Sequence, residues 1–588
     1  MKFSTWRSVS IISFTILAFL GSGYSQQAPR YSFLNQAAEA PAISYYDYII
    51  IGGGTAGCPL AATLSQNYKV LLLERGDSPY GNKNVSNMMN FPDTLQDTSP
   101  TSAAQRFVSE DGVINSRARV LGGGSCLNAG FYTRASPNYV REAGWDGRLA
   151  NESYEWVEKI VVFEPTMPQW QTALKEGLLE VGVTPFNGFT YDHEFGTKIG
   201  GTIFDSDGNR HTAADLLEYA NPEGLTVLLH ARVSRILFKV KGRSRPQAYG
   251  VIFWDKYGRK HKAYLNKGTD NEIILSAGAL GSPQLLILSG IGSRDQLEAL
   301  NITAILDQPM VGQGMSDNPM NAIFVPSPNP VATTLIQVVG ITKFGCFIEG
   351  ASGSNFVVSG SNSNGAPGRN FGMFSPQTGQ LATVPPKERT PEAIARAVEA
   401  MNSLQEYHFQ GGFILEKTRG PLSTGFLKLK NRNINENPSV TFNYFKEPED
   451  LVRCVRGIEA IESIIKSPGF SNFTYSDVQM ATLLNISTHF PVNTLPRSSE
   501  DTRSPEQYCR DTVMTIWHYH GGCQVGQVVD LDYKVIGTDA LRVVDGSTFR
   551  FSPGTNPQAT VMMLGRYMGV KIQNERFARQ QAKRRTNS

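Results

Sequence analysis

Tyr48-Ile-Ile-Ile51 runs straight into Gly52-Gly-Gly54-Thr-Ala-Gly57, and the order of elements around this junction decides the fold. A short, continuous apolar run rich in β-branched residues suits a strand buried on both faces. Cys58 to Gln66 reads as a helix, Lys69-Val-Leu-Leu-Leu73 as a second buried strand, and Glu74 closes it, twenty residues after Gly54. Strand, G-x-G-x-x-G, helix, strand and acid is the order of a dinucleotide-binding βαβ unit. Gly52 permits the tight turn, Gly54 lets the backbone approach a pyrophosphate, and Gly57 lets helix and strand pack closely. The helix N-terminus offers free N–H groups and a positive dipole end to the phosphates. Glu74 is placed to accept hydrogen bonds from a ribose diol. A carboxylate there would repel a 2′-phosphate, which argues against NADP and leaves NAD or FAD.

Outward from this motif, 588 residues suggest two to four domains or one large composite, at roughly 150 residues per domain. With 40% apolar and 18% charged residues, 31 Phe and 22 Tyr, the chain is neither disordered nor fibrous. Fifty-five basic against 52 acidic side chains leave +3, too balanced for an electrostatic nucleic-acid binder. Glycine, at 56 residues, is the unusual component, and it is clustered.

Ala118-Arg-Val-Leu-Gly-Gly-Gly-Ser125-Cys-Leu-Asn128 is a second glycine-rich loop. A third cluster runs from Gly278 to Gly292 behind the strand-like Glu272-Ile-Ile-Leu-Ser276; Pro283 suits the first turn of a helix there and Gly290 its exit. Near the C-terminus stand Trp517-His518-Tyr519-His520-Gly521-Gly522, then the strand-like Leu541-Arg-Val-Val ending in Asp545-Gly546, then Thr555-Asn556-Pro557-Gln558 opening a helix from Ala559 to Ile572. Two His two residues apart share a face only in extended chain, and Gly521-Gly522 turns the chain, so one His is expected in a site. A metal is not expected: no third ligand lies near the His pair, and no paired C-x-x-C is present. A G-x-S-x-G nucleophile elbow is absent too.

Lys2, Arg7, the apolar run Ile11 to Leu20 and the small residues to Ser25 read as a cleaved secretory signal over residues 1–25, too short to span a membrane. No second candidate span is present, and the polar stretch Arg579 to Ser588 is expected to fray. Five N-x-S/T sequons begin at Asn84, Asn151, Asn301, Asn472 and Asn485. Of six cysteines, Cys58, Cys126 and Cys523 lie in or beside glycine motifs, which leaves Cys346, Cys454 and Cys509 as candidates for a bridge, their pairing open.

Together these clusters resemble the glucose–methanol–choline (GMC) family of flavoproteins, from about Tyr46 to about Arg576. Arg119 to Asn128 and Gly278 to Gly292 carry the family signatures. Within it the sequence is most similar to plant HOTHEAD-like proteins and less closely to almond-type mandelonitrile lyases, through Tyr46 to Leu60, Arg210-His-Thr-Ala-Ala214 and Trp517 to Gly522. The resemblance selects FAD over NAD. It implies that Gly52, Gly54, Thr55, Ala56 and Gly57 meet the pyrophosphate and Glu74 the adenosine ribose. Val120, Gly123, Ser125 and Asn128 would lie along the ribityl chain and isoalloxazine, and Val233 would reach the adenine by its backbone. Asp545 and Gly546 would meet the pyrophosphate–ribityl region, Gln558 the flavin edge, and Trp517 would line the same site. The family's active-site base falls on His518, and its second position, His or Asn, is Asn556. Cys454 and Cys509 match a disulfide of the almond-type lyases.

The fold implied is a discontinuous α/β FAD-binding Rossmann-like domain, residues 46–135, 205–319 and 511–576, interleaved with an α+β substrate domain, residues 136–204 and 320–510. An antiparallel sheet of the second would lie over the flavin face; Gly425 to Lys430 and Ser439 to Tyr444 alternate as such strands do. Ser361 to Gly379 reads as a long loop suited to a lid. The function implied is oxidation of a CH–OH group, with His518 taking the hydroxyl proton and Asn556 orienting the oxygen. HOTHEAD-like proteins imply long-chain ω-hydroxy fatty acids on the route to cutin, and Asn318 to Met401 offers small and apolar residues suited to such a cleft. No motif identifies the electron acceptor or an oligomeric state. The alternatives are a hydroxynitrile lyase that keeps FAD without redox, and a flavin-binding protein without turnover. Asn556 and Ile516 stand where the lyases have a His and a Tyr, which favours the oxidoreductase.

Overall fold

The structure, a computed structural model, describes residues 29, 31–97, 99–354, 357–361, 367–369, 410–488, 493, 495, 504–554 and 556–586. The signal sequence expected over 1–25 lies outside them.

Tyr48–Ile51 and Val70–Leu73 are strands, joined by the helix Gly57–Leu64. They sit at the centre of a six-stranded, wholly parallel sheet in the order Leu34–Gln36, Leu225–Leu229, Val70–Leu73, Tyr48–Ile51, Glu272–Leu275, Leu541–Val543. Ile50 and Leu72 point into one apolar core with helix residues Leu60 and Leu64 and with Met562 and Met563; Ile49, Ile51, Leu71 and Leu73 point into another with Val251, Phe253 and Leu286. Covered on both sides, such strands read as unbroken apolar runs, which makes them legible in the sequence.

The third motif forms the helix Gly278–Leu288, and Gly290 at φ 88° takes the left-handed conformation at its exit. Pro283 lies inside this helix rather than in its first turn. Asp545 accepts from the Gly278 N–H (2.9 Å) and the Ser282 hydroxyl (2.5 Å), so the helix starts earlier than the proline suggests.

A seven-stranded sheet forms the second layer, in the order Met514–Thr515, Pro319–Pro326, Gln410–Thr418, Cys346–Ser354, Val338–Ile341, Gly196–Ile199, Phe186–Phe189. It is antiparallel except for its last pair. One face packs on the helices Gln169–Glu180 and Pro448–Ile465. The other presents Met320, Val339, Phe347, Phe413 and Leu415 with Phe131 and Ile516. Gly425–Lys428 and Ser439–Thr441 are paired strands as their alternation predicts, but they join Gln313–Met315 in a separate three-stranded sheet. Of the loop expected over 361–379, only 361 and 367–369 are described; 367–369 is a strand paired with Val357–Ser361.

Cys454 and Cys509 form a disulfide that ties Pro448–Ile465 to Pro505–Asp511. Cys346 is free and buried, its thiol 3.3 Å from Glu416 Oε2. The helix Gly147–Val161 sends Ala150, Tyr154 and Val157 into the core beside the parallel sheet. The final helix, Gln558–Thr586, runs well past Ile572. It is helical through Thr586, and Arg579 and Lys583 pair with Asp270 at 3.0 and 3.3 Å, which gives the polar last turns a partner that their sequence does not reveal.

Candidate active site

Where the strands Tyr48–Ile51 and Glu272–Leu275 end, a cavity opens that runs from Glu74, Arg232 and Val233, past the glycine loops, to Ile336, His518 and Asn556. Gly52 (φ 104°) must be glycine because a Cβ would lie 2.4 Å from Ser276 O, and at Gly57 it would lie 2.0 Å from Gly52 O. Gly54 and Gly546 differ: both line the cavity, yet a Cβ would meet no protein atom closer than 3.7 and 4.0 Å. The protein gives no packing reason for glycine at these two places. A ligand backbone lying against them does, and it is what a pyrophosphate cradle requires. The residues present therefore fit a dinucleotide such as FAD.

Thr55, Ala56, Glu74, Val120, Gly123, Asn128, Val233, Trp517, His518, Asp545, Gly546, Asn556 and Gln558 line the cavity with Gly52 and Gly54. Gly57 and Ser125 stand behind its wall. Ser125 is fully buried, donating to Gly122 O (2.8 Å) and accepting from the Ala213 N–H (2.9 Å), so it shapes the loop from within.

The Glu74 carboxylate accepts from the Gly53 N–H (2.9 Å) and the Gly76 N–H (2.7 Å), which fixes it at the mouth of the cradle. Burial raises its pKa against these two bonds. Asp545, besides binding the Gly278 helix, accepts from the Ser547 N–H at 2.8 Å and so positions the Asp545-Gly546 turn. Asn128 donates to Gln558 Oε1 (2.8 Å), and Gln558 donates to Phe131 O (2.6 Å), which links the second glycine loop to the start of the last helix. Arg210 holds that loop from behind, donating to Ser125 O and Asn128 Oδ1, both at 3.1 Å.

Of the two histidines, His518 lines the cavity. His520 is turned back, with Nδ1 donating to His518 O at 3.0 Å, and the chain bends at Gly521 and Gly522 (φ 88° and 95°) as expected. Burial, with smaller contributions from Lys417 and His520, pushes the His518 pKa well below that of an ordinary imidazole, so the ring is held neutral. Its Nδ1 is buried without a hydrogen-bond partner among the described residues.

Sequence reasoning missed the pair of charges behind Asn556. Lys417 donates from Nζ to Asn556 Oδ1 (2.8 Å) and to Glu349 Oε1 (2.9 Å), and both charged side chains are buried. An ammonium carries only donors, so the atom it meets must be the amide oxygen, which turns the amide's donor end away from Lys417. The signal was present as Glu416-Lys417 in an otherwise apolar strand. Arg117, donating to Gln284 Oε1 at 3.0 Å, is a buried cation in the cavity wall that the sequence did not single out. Of the stretch Asn318 to Met401, Ile336 reaches the cavity and 370–401 lies outside the described residues.

No helix among the described residues is long and apolar enough to cross a membrane. No cluster of His, Cys, Asp and Glu among them could hold a metal ion. All five sequon asparagines are exposed.

Comparison with known proteins agrees with this geometry. Two family models, both described as GMC oxidoreductase, match residues 46–320 and 421–565. The chain is 54% identical to Protein HOTHEAD of Arabidopsis thaliana over 91% of this chain and 89% of that one. It is 47% identical to an (R)-mandelonitrile lyase-like protein of the same plant, over 93% of each. A solved structure of formate oxidase from Aspergillus oryzae superposes with a TM-score of 0.70 at 18% identity, over 91% of this chain and 99% of that one, which shows the shared fold. The chain belongs to the GMC oxidoreductase family and is an FAD-dependent alcohol oxidoreductase.

Proposed function

We propose that the enzyme is secreted and oxidises the terminal hydroxyl of long-chain ω-hydroxy fatty acids, with His518 as base and Asn556 as the group that orients the reacting oxygen. The observation that carries this reading is the position of both residues in one wall of the cavity that continues from the glycine cradle. The cradle is formed by residues 46–135, 205–319 and 511–576, read as the FAD-binding unit, with Gly52, Gly54, Glu74, Val233 and Asp545-Gly546 holding the dinucleotide.

Bound FAD would supply the hydride acceptor. The chain's own residues do the rest. The Asn556 amide, its oxygen held by Lys417, donates to the substrate hydroxyl oxygen and fixes the direction of the C–H bond. The neutral His518 ring accepts the hydroxyl proton. Lys417 places a positive charge near the oxygen as it becomes an alkoxide, in surroundings where Phe347, Met320 and Val339 keep water away. The same apolar face supports a lipid-like substrate, and the likeness to HOTHEAD supports the substrate class.

A second reading, cleavage of a cyanohydrin without redox, is favoured by the likeness to the mandelonitrile lyase-like protein. Asn556 opposes it, because an amide cannot relay a proton as a second imidazole would, and so does the apolar Ile516 in the cavity wall. One experiment separates the readings. The purified protein is mixed anaerobically with ω-hydroxy fatty acids, short alcohols, aromatic alcohols and mandelonitrile, and flavin bleaching and cyanide release are both followed. Bleaching by the ω-hydroxy acids, lost in His518→Ala while the bound-FAD spectrum persists, is expected. Cyanide release without bleaching would establish the lyase instead.

A further inference from the structure

Trp517, immediately before the candidate base, has a left-handed backbone (φ 59°), a conformation that a large side chain rarely adopts unless its surroundings impose it. The constraints are specific. The Trp517 N–H donates to Thr515 Oγ1 (2.7 Å), and the His518 N–H donates to Asp317 Oδ1 (3.1 Å). Two backbone bonds between Ser316 and His520 (3.0 and 2.8 Å) clamp the residues on the far side. Asp317 is itself 1% exposed, and its Oδ2 accepts the Tyr444 hydroxyl at 2.5 Å. Among these bonds, the one made directly to the His518 backbone comes from a buried carboxylate of the neighbouring chain segment.

We propose that Asp317 is a positioning residue: its carboxylate holds the Trp517-His518 backbone in the bend that aims the imidazole at the substrate. The inference rests on His518 being the base. Tyr444 and Tyr519 are the titratable groups that face Asp317, with Asp111 behind Tyr444 and with Arg117 and Arg75 behind Tyr519. Burial raises the Asp317 pKa to about 6, against the hydrogen bonds from Thr515, Tyr444 and the His518 backbone, whereas His518 itself titrates well below its ordinary range. A proton arriving on Asp317 enters a ring of donors already aimed at it, so one of those bonds must be given up. An acid limb of the reaction near pH 6 then belongs to Asp317 and not to the base.

The test uses the FAD-loaded protein and an ω-hydroxy fatty acid, with anaerobic flavin reduction measured across pH for the wild type, D317N, D317A, Y444F and H518A. D317A should lower the limiting rate by roughly 10²-fold, the scale of an ångström's misplacement of a reacting group, with KM little changed. D317N should keep most of the rate at high pH and lose the acid limb, and Y444F, with one donor fewer, should move that limb to higher pH. A substrate-free measurement accompanies these. Because the folded-state pKa of Asp317 is raised, the stability this one carboxyl contributes is lost as pH rises from about 4 to about 6, so the Tm of D317N minus that of wild type should grow over that window and then level off. Should D317A fail to fold, D317N and Y444F carry the test. An inactive H518A together with a wild-type rate in D317A or a wild-type acid limb in D317N would overturn the role of Asp317 alone. A fully active H518A would overturn the base assignment and this inference with it.

Discussion

Lys417 and Asn556 meet ammonium to amide oxygen across 2.8 Å, and the same Nζ reaches Glu349 at 2.9 Å. A buried ion pair is a weak source of stability, since desolvation offsets most of the attraction. Here it has a second consequence: it fixes the orientation of an otherwise reversible amide in the cavity wall.

Lys417→Met should therefore slow flavin reduction by about 10²-fold while FAD stays bound, because the amide can then turn its acceptor toward an oxygen that needs a donor. It should also destabilise the fold by about 3–5 kcal/mol, the cost of leaving Glu349 buried and unpaired. The double variant Lys417→Met/Glu349→Leu should recover the stability and not the rate. Thermal melts and stopped-flow reduction read the two effects separately, and recovery of the rate in the double variant would remove Lys417 from the mechanism.

Gly54→Ala should weaken FAD binding by at least about tenfold, the effect of roughly 1.4 kcal/mol of lost contact at the pyrophosphate. Its Cβ would meet no protein atom closer than 3.7 Å, so the apoprotein should melt within a degree or two of the wild type. Gly57→Ala is the contrast, with 2.0 Å to Gly52 O, and should impair folding itself. Equal losses of apoprotein stability in the two variants would show that Gly54 is there for packing.

Acid should unfold the protein through its buried imidazoles. His193 has neither ring nitrogen hydrogen-bonded among the described residues, and burial together with Arg419, Lys198 and Lys417 lowers its pKa to about 3; burial takes His520 to about 4. Each is neutral when folded and binds a proton on unfolding once the pH drops below about 6.5, so stability present above that pH is lost as it falls. His193→Gln should reduce the slope of stability against pH between 6 and 4 by about 1.4 kcal/mol per pH unit, one proton's worth. Chemical denaturation at several pH values measures that slope directly, and an unchanged slope would mean that His193 is protonated in the fold.

Replacing Cys454 and Cys509 by serine should cost about 4 kcal/mol of stability, from the loop-closure entropy of a 55-residue separation, with FAD spectra unchanged at temperatures where the protein stays folded. A loss below 1 kcal/mol would show that Pro448–Ile465 and Pro505–Asp511 are held together by their buried apolar contacts alone.

The parts of the site that can be read from sequence are those where backbone makes the contact. Gly52, Gly54 and Gly57 announce themselves because their spacing is set by local geometry, and Glu74 because it ends the next strand. His518 is separable from His520 because Gly521-Gly522 forces a turn. Glu349 and Asp317 are not legible, and Lys417 shows only as a charge at the end of an apolar run: in sequence a buried charge looks like a surface charge, and its partner is far along the chain or on another strand. The seven-stranded sheet is obscured for the same reason, since its strands come from 186 to 515 and pair without short turns between most of them. Arg579 and Lys583 are likewise not legible as partners of Asp270, which lies some three hundred residues earlier in the chain.

The edge strand Leu541–Val543 and the Asp545-Gly546 turn complete a sheet whose first motif lies some five hundred residues earlier. While the chain is being made, then, the cradle has only one side for most of synthesis. Closure of the cradle therefore waits on the segment that begins at Leu541, and a chain cut short before Leu541 would have the Gly52 loop without the wall that closes on it.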